Sequence, residues 1–109
     1  MSRKDRQFLS DIVESIERIR LYRSLVRSPE LLRYDAIQFR LMIIGEASRQ
    51  ISREIRDRYS EVPWSGIIQS RNRMAHEYFR TETDFIDRVL DDHLGPLEVA
   101  IRQILEQLD

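Results

Sequence analysis

The chain has 109 residues, of which 41% are hydrophobic and 34% charged, a composition typical of a folded protein and not of a disordered one. It has no cysteine, which excludes disulfides and cysteine-based metal sites, and a net charge of −1 gives no global attraction for nucleic acid. Three glycines and three prolines are too few for the turns of a β-sandwich or barrel. The length is that of a single domain, which we expect to span residues 1–109.

The start of the chain carries no targeting signal that we can identify. The charged N-terminus is not followed by the apolar segment of a signal peptide, and the longest apolar run, residues 41–44, is far too short to span a bilayer. We therefore expect a cytoplasmic protein.

Two long helices are predicted in the first half of the chain. Apolar residues at helical spacing predict the first helix from about residue 2 to residue 25. Ser28 as a cap and Pro29 as the first helical residue predict the start of the second helix, which should end between Arg58 and Ser60. Its apolar seam steps by three and four residues through Tyr34, Ile37, Leu41, Ile44, Ser48, Ile51 and Ile55.

Further helices are predicted in the second half. Pro63 is well placed to open a third helix, and residues 81–84, Thr-Glu-Thr-Asp, fit a capping box at the start of a fourth. Leu94–Gly95–Pro96 predicts another break, although the helix could resume almost at once, and a last apolar helix then runs towards the C-terminus. With no strand pattern, the sequence predicts an all-α, up-down bundle of four or five helices.

Charge is unevenly distributed along the chain. Residues 1–81 hold 16 basic and 11 acidic side chains, whereas residues 82–109 hold 2 basic and 8 acidic ones. Arg49, Arg53 and Arg56 would form one basic stripe on the predicted second helix, and Arg73 lies further along the chain. These four arginines are candidates for RNA binding. The alternative is that the stripe pairs with neighbouring acids in solvent.

The two histidines have different surroundings. His93 lies among aspartates and is expected to be an ordinary exposed residue at a helix end. His76 belongs to a polar cluster with Arg71, Asn72 and Tyr78, and Asn72 and His76, four residues apart, share a helix face.

Such a cluster could cleave RNA without a metal or cofactor. Histidine can act as general acid or base near neutral pH, and an arginine can stabilise the charge that develops on phosphoryl oxygens. Arg71 and His76 are five residues apart, about 140° around an ideal helix, so they would not line up unless the helix loosens or a dimer interface pairs them. From spacing alone, a polar helix end with one satisfied histidine stays open as the alternative.

Four segments of the chain resemble the HepT toxins of the HEPN superfamily. Residues 71–78, RNRMAHEY, match the R-x4-H-x-Y motif of that family, and residues 43–47, IIGEA, match a segment of its long second helix. Residues 62–68, VPWSGII, are similar to the stretch that precedes the motif, and the opening around Asp5 to Ile12 also fits. The resemblance covers nearly the whole chain in the right order.

The resemblance implies a function and specific residue roles. HepT-like proteins are all-α dimers, and many are metal-independent ribonucleases that act as toxins of toxin–antitoxin pairs. Their antitoxin, MntA, is a minimal nucleotidyltransferase that transfers AMP to the motif tyrosine. Carried over, Arg71 and His76 form the catalytic pair, Asn72 and Glu46 support it, and Tyr78 is the modified residue.

Two departures from the family pattern leave alternatives open. Glu77 stands where many relatives have glycine and would repel RNA, and Phe79 stands where another subset has aspartate. The leading hypothesis is a ribonuclease toxin. The second is a non-catalytic adaptor that binds nucleotides or proteins, and the third is a dimerisation module that uses the apolar seam of the second helix.

Overall fold

The computed structural model describes residues 3–76 and 83–108, with only the backbone described for residues 71–76. Helix α1 spans Arg3–Ser24, α2 spans Glu30–Gln50, α3 spans Arg53–Arg58 and α4 spans Trp64–His76. Helix α5, Thr83–Val89, continues through a π-helical segment, Leu90–Leu94, into α6, Gly95–Gln107. The all-α prediction is confirmed, since the described residues hold four long helical rods and the short α3.

The core lies where α1 and α2 meet each other and their neighbours. Helix α1 packs against α2 and α6, and α2 packs against α4. The predicted seam of α2 is turned inward: Ile37 and Ile44 are almost fully buried, as are Ile51 and Ile55 just beyond it. This seam therefore packs into the core of the chain itself and is not an exposed surface for dimerisation.

The predicted continuity of the second helix to residues 58–60 is wrong. Helix α2 ends at Gln50, Ile51 is extended, and Ser52 caps a new helix, α3, by accepting a hydrogen bond from the Ile55 amide at 3.4 Å. Buried Asp5 of α1 fixes this corner, because its carboxylate accepts bonds from the Ser52 amide and from the Ser52 hydroxyl, both at 2.7 Å. The apolar seam survives the break, so its periodicity gave no sign of it.

The predicted break at Leu94–Gly95–Pro96 is also wrong. Gly95 has helical dihedral angles, and the rod runs on from α5 to α6. Inside an α-helix, Pro96 would lose a backbone bond and clash with the carbonyl four residues earlier. Here the wider turn of the π segment comes first and places Pro96 in the first turn of α6, where a proline is tolerated.

Two predicted helix starts have different outcomes. Pro29, not Ser28, occupies the cap position of α2, and Glu30 is its first helical residue. The capping box at residues 81–84 begins outside the described residues, and α5 starts within it at Thr83. None of the helices in the described part of the chain combines the length and the apolar character that crossing a bilayer requires.

Ion pairs connect α1 to α6 across the surface of the bundle. Arg20 pairs with Glu98, and Arg102 lies 2.9 Å from Glu17 and 3.1 Å from Glu98. Partial burial raises the pKa of the Glu98 carboxyl, but the hydrogen bonds from Arg20 and Arg102 outweigh that effect and the pKa is lowered. Because the arginines of these pairs are half-exposed, we expect each pair to contribute little to stability.

Candidate functional site

Residues 71–76 of the motif form the C-terminal part of α4. Arg71, Asn72, Arg73 and His76 all lie on this helix, whereas Tyr78 lies outside the described residues. The helix stays regular through His76, so the Cα atoms of Arg71 and His76 remain about 140° apart around its axis. Asn72 and His76 share one side of the helix, as the sequence predicts.

A buried tryptophan anchors the opposite end of α4. Trp64 is the first residue of the helix, is 6% exposed, and donates a hydrogen bond from Nε1 to the Tyr59 carbonyl at 3.1 Å. Pro63 precedes it, so the predicted start of the third helix is confirmed. Residues 71–76 of the motif therefore lie at the C-terminal end of a helix whose first residue is anchored.

Helix α2 meets the chain on both sides of the motif. Leu41 and Ile44 face Ile67 and Ser70 of α4 across a groove, and Ser70 directly precedes Arg71. On the other side, the Tyr34 hydroxyl of α2 donates to the Asp87 carboxylate of α5 at 2.8 Å. Helix α2 thus contacts α4 just before the motif and α5 after it.

Charges surround the contact between Tyr34 and Asp87. Arg23 of α1 lies 3.7 Å from Asp87 and 2.9 Å from Asp91. The hydrogen bond to Asp87 raises the pKa of the Tyr34 phenol, because the bond favours the neutral hydroxyl that donates it. Tyr34 therefore links α2 to α5 as a neutral hydrogen-bond donor and does not act as a base.

The groove is a feature that the sequence analysis missed. Its volume is about 370 Å³, and its walls are mainly aliphatic residues of α2, α4, the π segment and α6. His93 lines it and is exposed, as predicted, but lies inside a continuous rod and not at a helix end. The π segment sets this geometry, and a helical periodicity of 3.6 residues carries no sign of it.

Glu46 contacts its own helix. Its carboxylate is 2.7 Å from the Arg49 guanidinium and accepts a bond from the Gln50 amide at 3.2 Å. The hydrogen bond to Glu46 raises the pKa of Arg49. A supporting role for Glu46 in the motif stays a prediction.

The predicted arginine stripe is divided by the break in the second helix. Arg49 lies at the end of α2, whereas Arg53 and Arg56 lie on α3, so the three residues do not follow one helix face. The Arg53 side chain is 89% exposed and lies 4.0 Å from Asp57, while Arg56 is half-buried. Their binding of RNA stays a prediction.

Comparison with known proteins relates this chain to a ribonuclease family. The model of the HepT-like ribonuclease family matches residues 9–104. A candidate RNase of Caldanaerobacter subterraneus subsp. tengcongensis is 32% identical over 101 residues, which are 93% of this chain and 85% of that protein. A candidate RNase of Methanocaldococcus jannaschii is 33% identical over 106 residues, 93% of this chain and 97% of that protein.

A third relative carries the family's own name. It is a candidate ribonuclease HepT of Thermococcus cleftensis, 26% identical over 102 residues that cover 90% of this chain and 93% of that protein. No solved structure matches the chain. From the family model and the two relatives above 30% identity, we conclude that this chain belongs to the HepT-like ribonuclease family.

Proposed function

We propose that this protein is a metal-independent endoribonuclease and the toxin of a toxin–antitoxin pair. The observation that carries the proposal is the R-x4-H motif at the end of α4 in a chain of the HepT-like ribonuclease family. Arg71 and His76 are the catalytic pair, Asn72 and Glu46 support them, and cellular RNA is the substrate. We place the reaction in the cytoplasm.

The chemistry is an internal transfer at phosphorus. A general base takes the proton of a ribose 2′-hydroxyl, whose oxygen attacks the adjacent phosphorus while the bond to the 5′-oxygen of the next nucleotide breaks. A general acid returns a proton to that leaving oxygen, and the products are a 2′,3′-cyclic phosphate and a 5′-hydroxyl. His76 serves one of the two proton transfers, and Arg71 stabilises the charge on the phosphoryl oxygens.

The proposal predicts cleavage that depends on the 2′-hydroxyl and not on a metal. Purified protein incubated with small RNA in EDTA should produce fragments that end in a 2′,3′-cyclic phosphate. An oligonucleotide with a single 2′-deoxy substitution at the cleaved position should stay intact, because it lacks the attacking oxygen. Mass spectrometry of the fragments measures both results. Intact RNA, with protein of unmodified mass, would contradict the proposal.

The antitoxin that we propose is a minimal nucleotidyltransferase of the MntA kind, which neutralises the toxin by transferring AMP to Tyr78. The support is the position of Tyr78 two residues after His76, within the matched family segment. An AMP group there would bring negative charge beside the catalytic pair and repel the RNA backbone. Intact mass after incubation with the partner enzyme and ATP would show the adduct.

We also propose a homodimer, formed through the outer side of α2. This helix is apolar on its core side and also carries Leu31, Leu32 and Phe39 outside, which are 77%, 63% and 51% exposed. Large apolar side chains that cluster on an exposed surface are typical of a protein–protein contact. Asp35 and Arg40 adjoin the patch and give it both charge signs, which is compatible with a two-fold, self-complementary contact.

Replacing Phe39 with glutamate should therefore convert a dimer to a monomer. A carboxylate at the centre of this patch would be desolvated and would face its own copy across a two-fold contact. Light scattering coupled to size-exclusion chromatography measures the mass directly. Val99→Glu, on the exposed side of α6 at 58% exposure, is the matched control and should stay dimeric. A dimeric Phe39→Glu variant would rule out this surface.

The groove favours a second candidate function, a non-catalytic adaptor. An apolar groove of about 370 Å³ lies within the size range of ligand sites and continues towards the motif through Ser70. Its aliphatic walls suit an apolar side chain of a partner protein better than a nucleotide phosphate. Binding of a partner that His76→Ala leaves unchanged, together with intact RNA, would favour this function.

A further inference from the structure

Two arginines from different helices converge on one phenol where α1 and α2 pack together. The phenol belongs to Tyr22, whose half-buried side chain packs against the core near the end of α1. Arg40 of α2 and Arg18 of α1 both donate hydrogen bonds to its hydroxyl. These bonds favour the phenolate and lower the pKa of Tyr22, although burial of the side chain acts in the opposite direction. The surroundings of this oxygen are therefore electropositive.

Arg40 is held in place by two aromatic side chains. Its guanidinium carbon lies 5.5 Å from the centroid of the Phe39 ring, and its hydrogen bond to Tyr22 fixes it against α1. Among the residues that the structure describes, no carboxylate forms an ion pair with Arg40. A ring face and a neutral hydroxyl orient the guanidinium without compensating its charge. Arg40 is thus an ordered cation at the surface.

Arg18 brings a second positive charge to the same place, one helical turn before Tyr22. It is 47% exposed and lies 3.2 Å from the Glu14 carboxylate of its own helix. Two guanidiniums and one carboxylate give the cluster a net charge of +1. An exposed ion pair of this kind is weak, so Glu14 leaves Arg18 able to turn to a stronger anion.

The arrangement suits a phosphate group. Both guanidiniums already reach a single oxygen atom, so an anion beside the Tyr22 hydroxyl can accept charge-assisted hydrogen bonds from both. The phenol keeps its own O–H, which is a third donor for a phosphate oxygen. Planar guanidinium forks match the oxygens of a phosphate better than a lysine ammonium does.

We propose that Arg18, Tyr22 and Arg40 bind a backbone phosphate of RNA at a site separate from the R-x4-H motif. The inference rests on the proposed function, in which RNA is the substrate. Helix α2 packs against both α1 and α4, and Leu41, the residue after Arg40, faces α4 across the groove. The site and the motif helix are therefore about one helix width apart, roughly 10 Å. Such a site favours a longer strand over the two nucleotides at the cleaved bond.

Binding of an RNA that cannot be cleaved tests the site. The probe is a fluorescent single-stranded oligonucleotide with a 2′-O-methyl group on every ribose, and its anisotropy gives Kd at several salt concentrations. Arg40→Gln should raise Kd on the order of tenfold, the effect of losing a hydrogen bond to a charged group. The slope of log K against log salt concentration should become shallower by about 0.7, the value for one phosphate of a single strand.

Two further variants act on the same site from α1. Arg18→Gln should also raise Kd and reduce the salt dependence. Tyr22→Phe keeps the ring but removes the shared hydroxyl, so it should weaken binding by a smaller factor than Arg40→Gln. Arg40 adjoins the surface proposed for the dimer, so light scattering should measure the mass of every variant. If Arg40→Gln is a monomer, the two α1 variants decide the result.

Arg58→Gln is the matched control. The Arg58 guanidinium also lies over a neighbouring aromatic ring, 5.6 Å from the centroid of Tyr59, but it belongs to α3. This variant should keep the Kd and the salt dependence of the wild type. Wild-type binding by both Arg18→Gln and Arg40→Gln would overturn the inference. If inorganic phosphate nevertheless shifts the nuclear magnetic resonance signals of Tyr22, the cluster takes free phosphate and the assignment to RNA is wrong.

The uncleavable probe separates this inference from the proposed function. If the wild type leaves RNA intact but binds the probe through Arg40, the phosphate site stands and the ribonuclease proposal fails. If the wild type cleaves RNA and all variants bind the probe equally, the ribonuclease proposal stands and the phosphate site is wrong.

Discussion

His76→Ala is expected to lower the rate of RNA cleavage by about 100-fold or more, since a general acid or base contributes 10²–10⁴-fold to such a reaction. No other residue of the matched motif titrates near neutral pH, so the lost proton transfer has no substitute. Single-turnover cleavage of a labelled RNA in EDTA gives the chemical rate without interference from metals.

The chain contains its own matched control for this substitution. His93 is the only other histidine, and it lies on the π segment at the groove. His93→Ala should cleave within about twofold of the wild-type rate, and thermal unfolding should be measured for both variants so that lost activity is not lost fold. Equal rates for His76→Ala and the wild type would remove His76 from the mechanism.

Asp5→Ala is expected to lower the free energy of unfolding by about 2–3 kcal/mol. The substitution removes a charged acceptor from two hydrogen bonds to Ser52 and leaves the Ser52 amide without that partner. The substitution also removes the contact that holds α1 to the corner between α2 and α3, so we expect a large loss of stability. Urea unfolding followed by circular dichroism measures it.

The control for this prediction is another acid on the same helix. Glu14 is exposed and pairs only with Arg18 in the contacts described, so Glu14→Ala should change stability by less than about 0.5 kcal/mol. A double-mutant cycle of Asp5→Ala with Ser52→Ala should show coupling above 0.5 kcal/mol, as residues in direct contact do. Additive losses would show that Asp5 acts through some other contact.

Local sequence predicts the helices of this protein better than the joints between them. The apolar spacing on α1 places both ends of that helix within one or two residues of their observed positions, and the proline before Trp64 places the start of α4. The break after Gln50 depends on Asp5, 47 residues away, and the continuous rod through Pro96 depends on a π turn. Helical periodicity reveals neither feature. The contact of Asp5 is between helices that are distant in the chain, and the π turn changes the number of residues per turn.

The candidate site shows the same division. The motif from Arg71 to Tyr78 can be recognised in the sequence. Its spacing alone left a polar helix end as an alternative, and membership of the family favours the catalytic interpretation. The groove beside it is assembled from helices that are distant in the chain. Such a groove is a property of tertiary packing, which a single sequence does not display.

Trp64 has a practical consequence for spectroscopy. It is the sole tryptophan of the chain and is enclosed at the base of α4, so its fluorescence reports on one defined place. Residues 71–76 of the motif lie on the same helix as Trp64. If RNA binding at the motif tilts that helix, the emission of Trp64 or its quenching should change. The chain therefore contains a native optical probe that needs no label and leaves the motif untouched.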